Sequence, residues 1–570
     1  MQRILHILIL LAVGNSLMAQ SQKERKVSYI GGARSLMTNN QMQVTDTSGV
    51  ADTTTALRNQ GGYALIDLGV RIMPNSQTEI LGMFRIRNGF GGFWGSAVTF
   101  DVRQLYVKGI IAHAVRYQLG DINIKQTPFT LYNHHADAID SLPAVFGMQN
   151  DIVRYEKFYT QNTWRMQGAH VDGGLTFKKY LRELNVDGFV TRMNATNFTS
   201  VPDRLMAGGS LEVIQSKQFA VRYTLNSVFD VLGTITDSNV FRNTIQSVDA
   251  DYKTKVAGMP LTVSAEAGKS MYRYTQDTLS PQLEDYYLHA QAKLSVPRYH
   301  MHVGLGYLNV GPDYRSIGAQ SKDIQYAAIP QYYDRYTNAQ VQRPLTLMDV
   351  VSNDALYQRT VSSKLMMPNL VYNNAMPYGI ATFNRAGLYG TLHYQKDLTF
   401  TATYYRLNEI VGQGTEALRR FSVLKSNVKL PLHTWLNSKK LLEVQCGVQW
   451  QGVTRKGLYA VDDVNFKSTQ TQIGLRYEIV KQVELLGGWM YNRTQGSDFL
   501  AERNTYSEIT YFTEQQYNLT QQVLAVGARY NFTPAIYLSL FYQQQQYRDA
   551  NRQQANFSIR QFNILYNMLF

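Results

Sequence analysis

A single cysteine, Cys446, stands among 570 residues, so no intramolecular disulfide framework holds this chain together. Proline is scarce at 14, and no proline-, glycine- or serine-rich tract marks a linker or a second domain. After the first residues no apolar run approaches the roughly 20 needed for a membrane-spanning helix. The chain also lacks G-x-S-x-G, H-E-x-x-H, a Walker-type loop and a calcium-loop pattern. These absences argue against a multidomain soluble enzyme, a helical membrane protein and a disulfide scaffold. No catalytic residue is assigned, and no cofactor is expected.

What is present begins with a leader. Arg3 precedes an apolar stretch from Ile4 to Val13, and Ser16, Leu17 and Ala19 offer a signal-peptidase site. Residues 1–19 are therefore expected to be a signal peptide and 20–570 a single exported domain. The formal charge of +14 falls by one with Arg3. Export turns this basic balance away from nucleic acid and towards anionic lipid headgroups or an anionic solute. Tyr (39) and Phe (24) are abundant, yet mean hydropathy is only −0.27. That combination suits strands that are apolar on one face only.

Strict period-two alternation runs along the chain. Leu442, Val444, Cys446, Val448 and Trp450 alternate with Glu443, Gln445, Gly447, Gln449 and Gln451. Tyr286, Leu288, Ala290, Ala292, Leu294 and Val296 alternate with Tyr287, His289, Gln291, Lys293 and Ser295. The runs last about 10 to 14 residues, beyond the five or six of soluble strands and long enough for tilted membrane strands. Short turns are expected near Pro74, Ala114, Lys179, Lys217, Gly258, Pro297, Lys396, His433, Lys481 and Pro534. Longer connections fall between them, at 37–60, 88–97, 122–162, 194–203, 231–240, 274–283, 311–381, 408–416, 454–466, 494–520 and 545–556. The reading is all-β: a transmembrane antiparallel up-and-down β-barrel of about 22 strands, range 18–24. It begins near Val27, which leaves no room for a separate plug domain. A barrel this wide has space for a plug, so the two longest loops are expected to fold into the lumen. The glutamine run Gln543–Gln546 reads as a strand end.

If the apolar positions face lipid, their neighbours face the lumen. Arg71, Arg85, Arg87, Lys108 and Arg116 then lie inside on strands two to five, with Asp67 and Glu79 on the same wall. Two readings stay open: interleaved charges that pair with one another, or a basic wall favouring anions. His300, His302 and His393 fall near the short-turn rim and are weak candidates for a metal site. His134, His135, Asp137 and Asp140 share the first long loop, where a polar surface role competes with a hydrolytic one. Trp94, Trp164, Trp450 and Trp489 read as interfacial aromatics.

Four segments add resemblances. The chain ends Phe562, Ile564, Tyr566, Met568, Phe570 at every second position, and this ladder resembles the C-terminal assembly signal of bacterial outer-membrane barrels. Residues 117–132, YQLGDINIKQTPFTLY, and 307–319, YLNVGPDYRSIGA, resemble pieces of large Bacteroidota outer-membrane barrels, including those of type IX secretion. The Met-Ala-Gln-Ser end of the leader is similar to exported proteins of that phylum. These resemblances imply an integral outer-membrane location, with lipid and lipopolysaccharide around the barrel. They also imply the barrel assembly machinery as a partner, and periplasmic or surface proteins as further ones. Because both segments open the two longest loops, those loops are expected to have a defined structure. The expected function is porin-like or transporter-like passage of small solutes or of an exported substrate. The alternatives are a non-conducting structural or secretion-associated barrel that presents loops to partners, and an outer-membrane hydrolase.

Overall fold

The computed structural model describes residues 26–44, 56–90, 98–132, 142–157, 165–199, 201–234, 240–275, 282–319, 329–333, 340–357, 367–504 and 508–570. The expected leader, Trp94, Trp164 and the His134–Asp140 cluster lie outside them. Twenty-two strands form one antiparallel sheet. In chain order the strands are β1 to β24, of which β14 (Gln331–Tyr333) and β15 (Gln340–Gln342) pair only with each other. The sheet closes where β1 (Val27–Val44) meets β24 (Phe557–Leu569), paired from Gly32–Leu569 to Val44–Phe557. Beyond the last rung, Phe570 and Gly31 exchange backbone hydrogen bonds of 2.8 and 3.0 Å. Closure leaves no free edge, which is what a strand structure in lipid requires.

Short connections fall at 76–77, 112–114, 177–182, 215–218, 257–258, 297–300, 396–398, 431–441, 481–482 and 534–535, each beside an expected turn. The longer ones, including 122–166 and 311–384, alternate with them. Side chains sort by parity. On β21 (Val483–Arg503) the residues Glu484, Leu486, Gly488, Met490, Asn492 and Thr494 are buried, while Trp489 and Tyr491 stack at 5.6 Å on the other face. Outward-pointing Leu105, Leu305, Leu388 and Leu524 are each more than half exposed. They form the apolar belt that lipid covers, around a lumen lined with Asp, Glu, Arg, Asn and Gln. The chain is an integral outer-membrane β-barrel, and its short turns take the periplasmic side as in such barrels generally.

The glutamine run departs from expectation. It lies inside β23 (Ile536–Asp549) rather than at its end. Gln543 and Gln545 are buried inward-facing residues whose amides dock the loops described next.

Candidate functional site: a lumen crossed by two loops

β5 (Val115–Asp121) is only seven residues long, and the chain leaves the wall at Asp121 to return at β6 (Gln167–Thr176). Between them the described part of the loop enters the barrel. Its first segment hugs the inner wall, where Gln126 donates to the carbonyls of Gly209 and Leu225 and Asn226 donates to that of Thr130. Phe129 stacks on Tyr287 with ring centroids 4.2 Å apart. The loop then forms a helix, α1 (Ala144–Lys157). Val145, Phe146, Met148, Ile152 and Val153 recur at helical spacing and are buried. They pack against inward residues of β21, of β22 (Ile509–Thr533) and of β23. Glycines seat the N-terminal end of α1. A Cβ at Gly474 would stand 2.5 Å from Pro143, and one at Gly488 2.6 Å from Phe146 and Val145.

The other end of α1 is held by arginines from three of the first four strands. A helix leaves its last carbonyls without internal partners, and here guanidinium groups supply them. Arg85 donates to the Glu156 carbonyl at 2.6 Å and Arg103 to that of Tyr155, while Arg34 reaches the Ile152 carbonyl one turn earlier at 3.4 Å. Positive charge at a helix C-terminus also complements the helix dipole. Side chains complete the anchor. Glu156 meets Arg34 at 3.0 Å and Arg87 at 3.5 Å and accepts from the Tyr63 hydroxyl. Asp67, fully buried, takes a two-pronged bond from Arg85 at 2.7 and 2.8 Å and lies 3.4 Å from Arg103. The Tyr155 ring lies under Arg34 and Arg103, at 4.8 and 4.4 Å.

All five expected lumen cations have a carboxylate beside them. Arg71 and Lys108 share Glu79 at 3.6 and 3.3 Å, Arg85 has Asp67, Arg87 has Glu156, and Arg116 donates to Asp172 at 2.6 Å. Of the two open readings, this geometry is that of interleaved charges. Arg34 and Arg103 were missed by the sequence reading for two reasons. Both faces of β1 mix polar and apolar residues, so Arg34 stands out from no alternation. β4 (Val98–Ile111) carries a bulge opposite Met83 and Phe84 of β3 (Thr78–Gly89). Its partners jump from Gln104 to Val102, and the skipped residue, Arg103, turns inward at 5% exposure.

The second long loop, 311–384, lies against the first. The two segments that resembled known barrels meet each other: Tyr314 donates to the Phe129 carbonyl at 2.5 Å, Ser316 to that of Thr130 at 3.1 Å, and Tyr132 N–H to that of Gly318 at 2.9 Å. Arg315 is buried over the Phe383 ring at 3.9 Å, where desolvation and nearby Arg503 bring its pKa down to about 10, still charged at neutral pH. Further on, α2 (Leu347–Ser352) starts with a capping box in which Thr346 and Asp349 exchange hydrogen bonds. Arg343 grips the Asp349 carboxylate at 2.5 and 2.7 Å. Burial alone would raise that carboxyl's pKa, but Arg343 and Thr346 more than offset it and hold it below the usual range. Wall amides dock both α-helices among the described residues of this loop. Gln521 accepts from Leu347 N–H at 2.9 Å, and Gln451 donates to Leu370 and Val371 of α3 (Leu370–Asn373) at 3.0 and 2.6 Å.

On the opposite wall a cavity of about 600 Å³ reaches the turn at 112–114. Arg116, Asp172, Asp187, Glu212 and Arg222 line it, and Lys125 of the first loop projects there. His302 and His393 face each other across neighbouring strands with ring centroids 5.9 Å apart, while His300 sits in the adjoining turn. No group of three or more His, Cys, Asp or Glu among the described residues is placed to hold a metal ion. Phe562, Ile564, Tyr566 and Met568 share the outward face of β24 and exposed Phe570 follows just past its end, while Leu565 and Phe557 point into the packed lumen.

No protein-family model and no curated protein matches the chain. Among solved structures, a copper transporter, OprC, is similar over 97% of this chain and 81% of its own, at 9% identity and a TM-score of 0.45. OpdO of Pseudomonas aeruginosa covers 95% of this chain and 98% of its own, at 8% identity and a TM-score of 0.34. The usher PapC translocation pore covers 95% and 99%, at 8% and 0.33. Likenesses this slight say nothing about substrate or partner.

Proposed function

We propose that this barrel passes small polar solutes across the outer membrane and that its two long loops set the width and occupancy of the path. The observation that carries this reading is α1 docked inside the lumen, apolar face on one wall and C-terminal carbonyls on the arginines of another. A porin-like or transporter-like barrel of 22 strands is wide enough to need such a constriction. The path runs on the side of β5 and β6, where the cavity remains. Because each cation of the supposed basic wall has a carboxylate beside it, ion selectivity is weak. Segments 117–132 and 307–319, read as similar to pieces of Bacteroidota barrels, hydrogen-bond to each other, which supports the expectation that the two loops they open have a defined structure.

A second reading has an observation of its own. The apolar contact of α1 and α2 with the wall favours a barrel that does not conduct at rest and presents its loops to partner proteins. Single-channel recording separates the two, using the full-length protein and a variant with Asp313–Pro377 replaced by a short linker. Steady conductance in the full-length protein supports solute passage. Conductance only after the deletion supports the gated or scaffolding reading. Silence in both, with the barrel still folded, would exclude a pore.

A further inference from the structure

The two ends of the barrel carry opposite charge. Its ten short turns hold nine lysines and arginines against one carboxylate, Asp397. At the other end, the described residues of the nine loops other than 122–166 and 311–384 hold six carboxylates and three cations. Lys178, Lys179 and Arg182 share the turn 177–182, Lys439 and Lys440 share 431–441, and the remaining four stand one to a turn. All nine are exposed. Among the described residues, Arg182 alone of the nine meets a carboxylate, Glu183 at 2.9 Å.

Apolar side chains share these turns. Tyr180 is 95% exposed, Leu436 67%, Tyr299 57% and Trp435 51%. Such exposure is expensive in water and suits the boundary between headgroups and acyl chains, where aromatic rings and long cationic side chains both settle.

We propose that the short-turn rim binds the anionic phosphodiester headgroups of the periplasmic phospholipid leaflet. The cations occupy six of the ten turns and so spread over much of the circumference. An annulus of lipid fits that distribution, whereas a protein partner would call for one compact patch. Each turn that pairs a ring with an ammonium or guanidinium offers the headgroup its counter-charge and the upper acyl chain its apolar contact. The acidic loops at the far rim give anionic headgroups no such welcome, so the same charges favour one orientation of the barrel.

The test is native mass spectrometry of the full barrel in detergent, titrated with phosphatidylglycerol or with phosphatidylcholine of the same acyl chains. At low salt, phosphatidylglycerol should bind about five-fold more tightly per rim cation engaged, and the preference should fall as salt is raised. In the variant Lys178→Gln/Lys179→Gln/Lys439→Gln/Lys440→Gln it should drop towards parity. Lys456→Gln/Arg552→Gln at the far rim should leave it unchanged, and heat-modifiable migration on gels checks that each variant is folded. Equal binding of the two lipids by the wild type, or a preference that survives the four-fold variant, overturns the proposal. Rim-dependent binding of polyglutamate without lipid preference overturns it in favour of an acidic protein partner.

Discussion

Replacing Glu156 by glutamine isolates the polar half of the α1 anchor. Glu156 is 8% exposed and lies 3.0 Å from Arg34 and 3.5 Å from Arg87. Breaking a buried pair from one side costs about 3–5 kcal/mol when the remaining charge has nothing else. Here Arg34 keeps two bonds to Asn567, at 3.0 and 3.2 Å, and Arg87 is 39% exposed, so about 2–3 kcal/mol is the better figure. That corresponds to a roughly 30- to 150-fold rise in how often the C-terminal turn of α1 lets go. The helix as a whole should stay. Five buried apolar side chains, Val145, Phe146, Met148, Ile152 and Val153, contribute up to about 7–15 kcal/mol between them, which outweighs the lost pair. Glu156→Gln should therefore give brief excursions to a higher conductance level and faster tryptic cleavage after Lys157. The barrel's resistance to heat and detergent should not change. Adding Phe146→Ala, worth about 3–5 kcal/mol at the other end, should turn the excursions into a lasting open level. Recordings and cleavage rates identical to wild type in Glu156→Gln would refute the anchor. Full opening by that change alone would refute the apolar accounting.

Gly488→Val should push the start of α1 off the wall, since even a Cβ there would stand 2.6 Å from Phe146. The expected cost is about 1–3 kcal/mol, seen as raised conductance and a protease-sensitive loop. Gln451→Leu would strip the Leu370 and Val371 carbonyls of a partner and should loosen α3 by about 1–3 kcal/mol, read as faster hydrogen exchange at 370–373. Asp349 makes a pH prediction. Its carboxyl is held below the ordinary value, so its contribution is complete above that value and is lost only as pH falls through the lower native one. Conductance and loop protection should therefore be flat from pH 8 to about 5 as far as this pair is concerned. They should weaken only in stronger acid, and Asp349→Asn should show the weakened state at neutral pH.

How far the sequence could be read depended on which period it was read with. Period two placed every short turn and the order of the longer connections, because one residue in two must face lipid and the pattern repeats 22 times. The loops expected at 37–60 and 494–520 were drawn too wide: strand continues to Val44 and Arg503 and resumes at Leu57 and Ile509. The same eye passes over α1, whose Val145, Met148, Ile152 and Val153 follow helical spacing inside a region already taken for a loop. The expectation that the long loops enter the lumen came from barrel width and loop length. Which wall they would meet was not legible, because the anchor joins residues as far apart as Arg34, Glu156 and Asn567. Arg103 was hidden by one extra residue in β4, which reverses parity along the rest of the strand. The glutamines of β23 looked like a frayed end, yet they are neutral amides that dock loops without adding charge to the lumen.

Arg34 touches both α1 and the last strand, and that ties the plug to the seam. Its partners Glu156 and Asn567 come together only once β1 has zipped to β24. Until then the helix has half a berth: the apolar wall of β21 to β23 exists, but the capping guanidiniums of β1 to β4 stand on the far side of an open edge. The last strand to be made thus completes the receptor for a helix made hundreds of residues earlier. A chain truncated before β24 could form most of its hairpins and still hold no plug, so occupancy of the lumen doubles as a record that the wall around it is whole.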